Sequence, residues 1–161
     1  MSVYILLMRS PTIVSRAVHL LTHAQYTHVA IGTDEVFYTY SRFDPHYILP
    51  GGFTKEHSFI KYPHTIKKLE VTWGQWLDLR KLLVDHPHTY KFNILGLILV
   101  PTPISYKPKK RYFCSQFCAE MLSKAHIYTF PKPLNKVRPT DFLSIPGLQD
   151  CTPEEEKTLT H

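Results

Sequence analysis

The chain has few cysteines and few glycines, and it lacks a long apolar run. Three cysteines in 161 residues, with no C-x-x-C pair, are too few for a disulfide scaffold and favour a reducing compartment. No stretch approaches the roughly 20 apolar residues of a membrane-spanning helix. The N-terminus has no basic and apolar signal-peptide regions, and the glycines form no phosphate-binding loop. We therefore expect a cytoplasmic protein without a transmembrane segment, cofactor or metal.

The composition is that of an ordinary globular domain. With 43% hydrophobic and 20% charged residues, the chain can bury a core without covalent staples. We predict one domain over residues 1–148 and a polar, acidic surface tail over residues 149–161. The formal net charge of +6 makes an anionic partner plausible, whether a lipid headgroup, an acidic substrate or nucleic acid, but solubility alone also explains it.

Strand patterns dominate the first half of the chain and helix patterns the second half. Strands are expected at 3–8, on both sides of a turn at "GTDE", and at 65–72; helices are expected at 10–25, 72–86, 91–100 and from Cys114. The segment 42–63 is interpreted as a long irregular loop. This order predicts an α+β domain with a small antiparallel sheet.

The segment "KPKKRYFCSQFCAEMLSKA" places Cys114 and Cys118 on one face of a helix. Both can be small core residues, a common role for a free cysteine. Cys114, however, lies in the first helical turn, where free backbone N–H groups and the helix dipole stabilise a thiolate. Lys109, Lys110 and Arg111 add positive charge nearby. The sequence thus favours Cys114 as a nucleophile, and gives Cys118 and the tail residue Cys151 no such role.

A nucleophilic cysteine needs a base, and His28 is the best candidate because it opens the strand "HVAIG". It can equally be an ordinary edge-strand histidine. The returning strand places Thr39, Tyr40 or Ser41 opposite this ring, and the sequence does not fix which of them faces it.

Other motifs give weaker signals. His19 and His23 have a spacing that suits a metal, but no third ligand accompanies them. The run "KPKKR" can bind an anionic ligand or simply be solvated, and no feature identifies nucleic acid as the partner.

The motifs "THVAI", "GGFTKE" and "YFCSQFCAEML", in this order, resemble the circularly permuted branch of the NlpC-type papain-like cysteine peptidase superfamily, which is similar to the lecithin–retinol acyltransferases. The resemblance spans residues 1–145. It implies a permuted papain-like fold, with a small antiparallel sheet or half-barrel packed against helices and the nucleophile at a helix N-terminus. In this likeness Cys114 matches the nucleophile and His28 the base.

The resemblance also implies a third polar residue on the strand after the histidine. No acid occurs in "VFYTYS", so we expect a Cys–His dyad or an orienting Tyr40 or Ser41. We assign Ser115 to the oxyanion and substrate groove; Tyr112 or Phe113 lines that groove, and either can equally belong to the core.

The expected function is a cysteine hydrolase or acyltransferase acting on a peptide amide, or on a lipid ester or amide. The alternative is a non-catalytic papain-like module that binds an anionic partner at the basic loop.

Overall fold

A six-stranded antiparallel sheet forms the centre of the computed structural model, which describes residues 1–9, 24–33, 36–41, 52–56 and 59–159. The strand order is β4-β3-β2-β1-β5-β8. Its strands are β1 (Ser2–Met8), β2 (His28–Gly32), β3 (Phe37–Tyr40), β4 (Phe53–Glu56), β5 (His64–Glu70) and β8 (Leu148–Asp150). Two short strands, β6 (Lys91–Phe92) and β7 (Arg111–Tyr112), form a separate parallel pair. The expected α+β class with an antiparallel sheet is confirmed.

The apolar run of β1 follows from its central position. Val3, Ile5 and Leu7 face one side of the sheet, while Leu6 and Met8 face the other, and all five are buried. A strand covered on both faces has no room for alternating polar residues. β1 pairs with both β2 and β5, so it fixes the register of the strand that carries His28.

The hairpin between β2 and β3 forms as predicted, and a glycine is required where it begins. A Cβ atom on Gly32 would lie 2.5 Å from the carbonyl oxygen of Val36. The indole N–H of Trp76 donates to the carbonyl of Thr33 at 3.1 Å, which joins this end of the hairpin to the following helix.

Four α-helices are described: α1 (Trp73–Val84), α2 (Ile94–Ile98), α3 (Cys114–Lys124) and α4 (Pro153–Leu159). The spacing of Thr72 and Gln75 in the sequence predicts a capping box at the start of α1, and the structure contains it: the two side chains bond each other's backbone N–H groups. The sequence places Asn93 near the start of the expected helix at 91–100, and in the structure its side chain caps α2 by accepting from the N–H of Gly96 at 3.0 Å. Short 3-10 turns occupy Phe59–Lys61, Leu134–Lys136 and Pro139–Ser144.

Helix α3 packs across β2 and β3 and forms the largest core with them. Residues 114–122 of this helix are all buried, including Cys114 and Cys118. A smaller core lies on the opposite face of the sheet and includes Phe37, Ile66 and Leu159. Within the described residues, no helix has the length and hydrophobicity that a bilayer crossing requires.

Two sequence predictions are wrong. The end of the chain is not a surface tail, because β8 pairs with β5 and Leu159 is buried in the smaller core. The segment 42–63 is not wholly irregular, because it contains β4, which pairs with β3 over its full length. The helix expected at 10–25 lies mostly outside the described residues.

Candidate active site

His28 is the first residue of β2 and is buried at one end of the sheet. It is in register with Met8 of β1, and the N–H of the preceding Thr27 donates to the Met8 carbonyl at 3.1 Å. The ring nitrogen Nε2 lies 3.1 Å from Oε2 of Glu56 and 3.3 Å from Oγ1 of Thr39. Backbone pairing therefore fixes the position of the ring, and two side chains fix its orientation.

Cys114 is the first residue of α3, so it lies in the first turn of the helix, which agrees with the prediction. The chain before it is held by β6: the N–H of Asn93 donates to the Tyr112 carbonyl at 2.7 Å, and the N–H of Lys91 donates to the Lys110 carbonyl at 3.1 Å. Phe113 then adopts an extended conformation as the N-cap residue, and its side chain is fully buried. Its buried ring anchors the start of the helix against the sheet.

The thiol of Cys114 lies beside the imidazole of His28, close enough for each group to shift the pKa of the other, although the two residues are 86 positions apart. The structure thus brings together the two side chains that the sequence singled out. Glu56, His28 and Cys114 form a continuous chain of polar contacts.

The pKa values of the two groups move in opposite directions. Burial lowers the pKa of His28, but the hydrogen bonds and negative charges of Cys114 and Glu56 outweigh burial and raise it to about 10. Burial raises the pKa of Cys114, and the protonated ring together with the backbone N–H groups of Val29 and Ser115 brings it below its ordinary value. The arrangement therefore favours a thiolate–imidazolium pair.

Glu56 is the residue that the sequence analysis missed. It ends β4, lies opposite Phe37 of β3 and is buried. The carboxylate reaches His28 from the second strand beyond it, across β3. The signal in the sequence was the strand-like "FTKE" after two glycines, inside the segment interpreted as a loop. The structure therefore contains neither a Cys–His dyad nor a histidine oriented only by residues of β3.

Tyr40 does not orient His28. Its side chain points to the opposite face of the sheet, where its hydroxyl lies 2.7 Å from Nε2 of His86. Strand alternation explains this, because Thr39 and Tyr40 project to opposite faces and Thr39 is the residue beside His28. Ser41 follows β3, and its backbone N–H donates to the Gly52 carbonyl at 3.1 Å.

The two residues assigned to the groove use their side chains elsewhere. Ser115 is buried and its hydroxyl donates to the Val137 carbonyl at 2.7 Å, so only its backbone N–H reaches the sulfur. The hydroxyl of Tyr112 donates to Glu120 at 3.0 Å. The Tyr112 ring lines a cavity of about 550 Å³ together with His86 and Tyr90, and Cys114 is not among the residues lining it.

The residues of the basic loop are not among the groups that act most strongly on the pKa of Cys114. Lys109, Lys110 and Arg111 are exposed, and the charge that acts on the thiol is that of His28. Solvent screens an exposed charge far more than a buried one.

The pKa values of the other two cysteines are raised, whereas that of Cys114 is lowered. Burial raises the pKa of Cys118 well above its ordinary value, and its thiol donates to the Val29 carbonyl at 3.8 Å. Burial and nearby Glu155 raise the pKa of Cys151 to about 11. Both are expected to stay protonated at neutral pH.

No group of three metal-ligating side chains occurs among the described residues. His19 and His23, whose spacing suits a metal, lie outside them.

Comparison of the chain with protein families, curated proteins and solved structures gives no match.

Proposed function

We propose that this protein is a cysteine-dependent acyl-transfer enzyme with Cys114 as nucleophile, His28 as general acid and base, and Glu56 as positioning residue. The observation that carries the proposal is the continuous contact from Glu56 through His28 to Cys114. A nucleophile, a base and an orienting group in this sequence of contacts make up the general arrangement for covalent catalysis.

In the first half-reaction the Cys114 thiolate attacks the carbonyl carbon of an amide or ester. A C–S bond forms, and the carbonyl electron pair moves to oxygen. When the tetrahedral intermediate collapses, the bond to the leaving group breaks and the imidazolium of His28 donates a proton to the amine or alcohol. The raised pKa of His28 keeps that proton on the ring until the leaving group needs it.

The oxyanion requires donors that are already in place. Helix α3 begins at Cys114, and its N-cap residue Phe113 offers no side-chain hydrogen bond. The backbone N–H groups of the first turn, including that of Ser115, are therefore available near the sulfur.

In the second half-reaction neutral His28 accepts a proton from water or from another acceptor, which attacks the thioester carbon. The C–S bond breaks and the thiolate returns. Glu56 stabilises the imidazolium in both halves because its carboxylate lies 3.1 Å from Nε2. An acid that stays ionised in this place orients the ring without itself receiving a proton.

The order of the elements supports the permuted papain-like arrangement inferred from the sequence. The histidine strand β2 comes before the cysteine helix α3, and that helix packs directly on β2. We propose this fold for the chain, with a peptide amide or a lipid ester or amide as the substrate.

The test is formation of an acyl-enzyme. The protein is mixed with p-nitrophenyl acetate, and release of nitrophenolate is followed while mass spectrometry locates the acetyl group. We expect a burst of nitrophenolate and acetylation at Cys114 in the wild type and in Cys118→Ala, and neither in Cys114→Ala. Acetylation that is absent from the wild type, or unchanged in Cys114→Ala, would contradict the proposal.

A second candidate is a papain-like module that binds an anionic partner without catalysis. The observation that favours it is the burial of the sulfur, since Cys114 is only 4% exposed. In that case Cys114→Ser retains partner binding and reversal of Lys109 and Lys110 abolishes it. The acyl-enzyme experiment separates the two candidates, because a binding module forms no burst.

A further inference from the structure

The segment between α1 and α3 exposes apolar side chains beside a basic loop. Ile98 of α2 is 54% exposed and Ile104 in the following loop is 58% exposed. Leu95, Ile94 and Tyr106 are also exposed, and Lys107, Lys109, Lys110 and Arg111 follow directly in the chain. We call these nine residues the apolar–basic surface. Exposed aliphatic groups in such a cluster mark an interaction site.

Several members of this surface lie together in space. Ile94, Ile98, Tyr106 and Arg111 line one shallow cavity of about 260 Å³. The loop that carries Ile104 is fixed by Lys136, whose Nζ donates to the carbonyls of Leu99 and Thr102 at 2.7 Å each. The apolar groups and Arg111 therefore form one patch, and Lys107, Lys109 and Lys110, which precede Arg111 in the chain, line a second cavity of about 350 Å³ together with Glu120.

Along the chain, the charged residues of this region are all basic. Between Asp85 and Glu120 the sequence contains no acidic residue, whereas it contains Lys91 and the four basic residues of the patch. Lys107 lies 3.8 Å from Glu120, and among the described residues the side chains of Lys109, Lys110 and Arg111 make no ion pair. The uncompensated charge faces solvent.

We propose that the apolar–basic surface docks on an anionic lipid bilayer. Aliphatic side chains beside lysines and a tyrosine suit the interface of a membrane, where the apolar groups enter the acyl boundary and the amines meet lipid phosphates. An interface with another protein fits less well, because lysine is depleted in such contacts. This docking does not depend on the proposed acyl transfer, since Cys114 takes no part in it.

The experiment is co-sedimentation of the full-length protein with vesicles. One set contains phosphatidylcholine alone, and the other contains two parts phosphatidylcholine to one part phosphatidylserine. Wild type is expected to bind the second set at low salt, and to bind the first set far more weakly. Raising the salt concentration should weaken the binding, because it screens exposed charges.

The basic residues and the apolar residues of the surface are each tested with one double variant and one matched control. Lys109→Glu with Lys110→Glu should weaken binding by about a hundredfold, while Lys61→Glu with Lys81→Glu, an equal change of charge at exposed lysines elsewhere, should change it little. Ile98→Ser with Ile104→Ser should also weaken it, whereas Leu77→Ser with Val84→Ser, at exposed positions of α1, should not.

Cys114→Ala must bind vesicles like the wild type, so failure of docking and failure of catalysis are distinguishable. Absence of vesicle binding, or equal loss in test and control variants, overturns the proposal. So does a wild-type dimer in solution that Ile98→Ser with Ile104→Ser separates, because the patch would then join two copies of the chain.

Discussion

Oε2 of Glu56 lies 3.1 Å from Nε2 of His28, and both side chains are buried. The two residues are on strands separated by β3, so the contact exists only when β2, β3 and β4 pair in their observed register. The same ring interacts with the Cys114 thiol, and each raises or lowers the pKa of the other. A buried carboxylate therefore acts on the sulfur through the imidazole.

Glu56→Gln tests this contact. The amide keeps the size of the side chain but removes the charge that helps to raise the pKa of His28. We expect the rate of acetyl-enzyme formation at neutral pH to fall by about a hundredfold, since the ring loses its orientation as well as its charge partner. NMR of the imidazole should show a lower pKa for His28.

Glu70→Gln is the matched control, because Glu70 is an exposed acid at the end of β5. An equal loss of rate in both variants, or an unchanged His28 pKa in Glu56→Gln, would show that Glu56 has no positioning role.

Tyr40→Phe tests whether Tyr40 belongs to the core or to the active site. The variant leaves Nε2 of buried His86 without its partner at 2.7 Å, so the free energy of unfolding should fall by about 1–3 kcal/mol. Acetylation of Cys114 should keep its wild-type rate in the folded protein. Tyr38→Phe on the same strand is the control for stability, and denaturant unfolding is the measurement. A large loss of acetylation rate in Tyr40→Phe would show that Tyr40 does contribute to the active site.

Leu159→Ala tests whether the end of the chain belongs to the fold. Leu159 is buried in the smaller core with Phe37 and Ile66, so its truncation should lower the free energy of unfolding by about 2 kcal/mol. The neighbouring exposed Thr158→Ala should have a much smaller effect. If both variants unfold like the wild type, residues 153–159 contribute nothing to stability.

Local patterns in the sequence were sufficient to predict much of the fold. The apolar run of β1, the hairpin of β2 and β3, and the capping residues Thr72 and Asn93 each depend on neighbours in the chain. The position of Cys114 at the start of α3 was predictable for the same reason, because the proline-rich basic loop ends just before it.

Features that depend on distant pairing were not predictable. Glu56 reaches His28 only through the register of three strands, and its short strand stands in a segment whose composition suggests a loop. The polar strand β8 is an edge strand that pairs with β5 through its backbone, so its side chains give little sign of it. Tyr40 was misplaced because a one-residue change in register exchanges the two faces of a strand.

The pH dependence of Cys114 alkylation tests the central claim most directly. Iodoacetamide reacts with the thiolate, so the rate should rise with pH through the pKa of Cys114, while Cys118 and Cys151 stay protonated because their pKa values are raised. The thiolate–imidazolium pair predicts a half-maximal rate well below pH ~8.5, the ordinary value for a cysteine, and a shift towards it in Glu56→Gln. A midpoint at or above that value in the wild type would contradict the account.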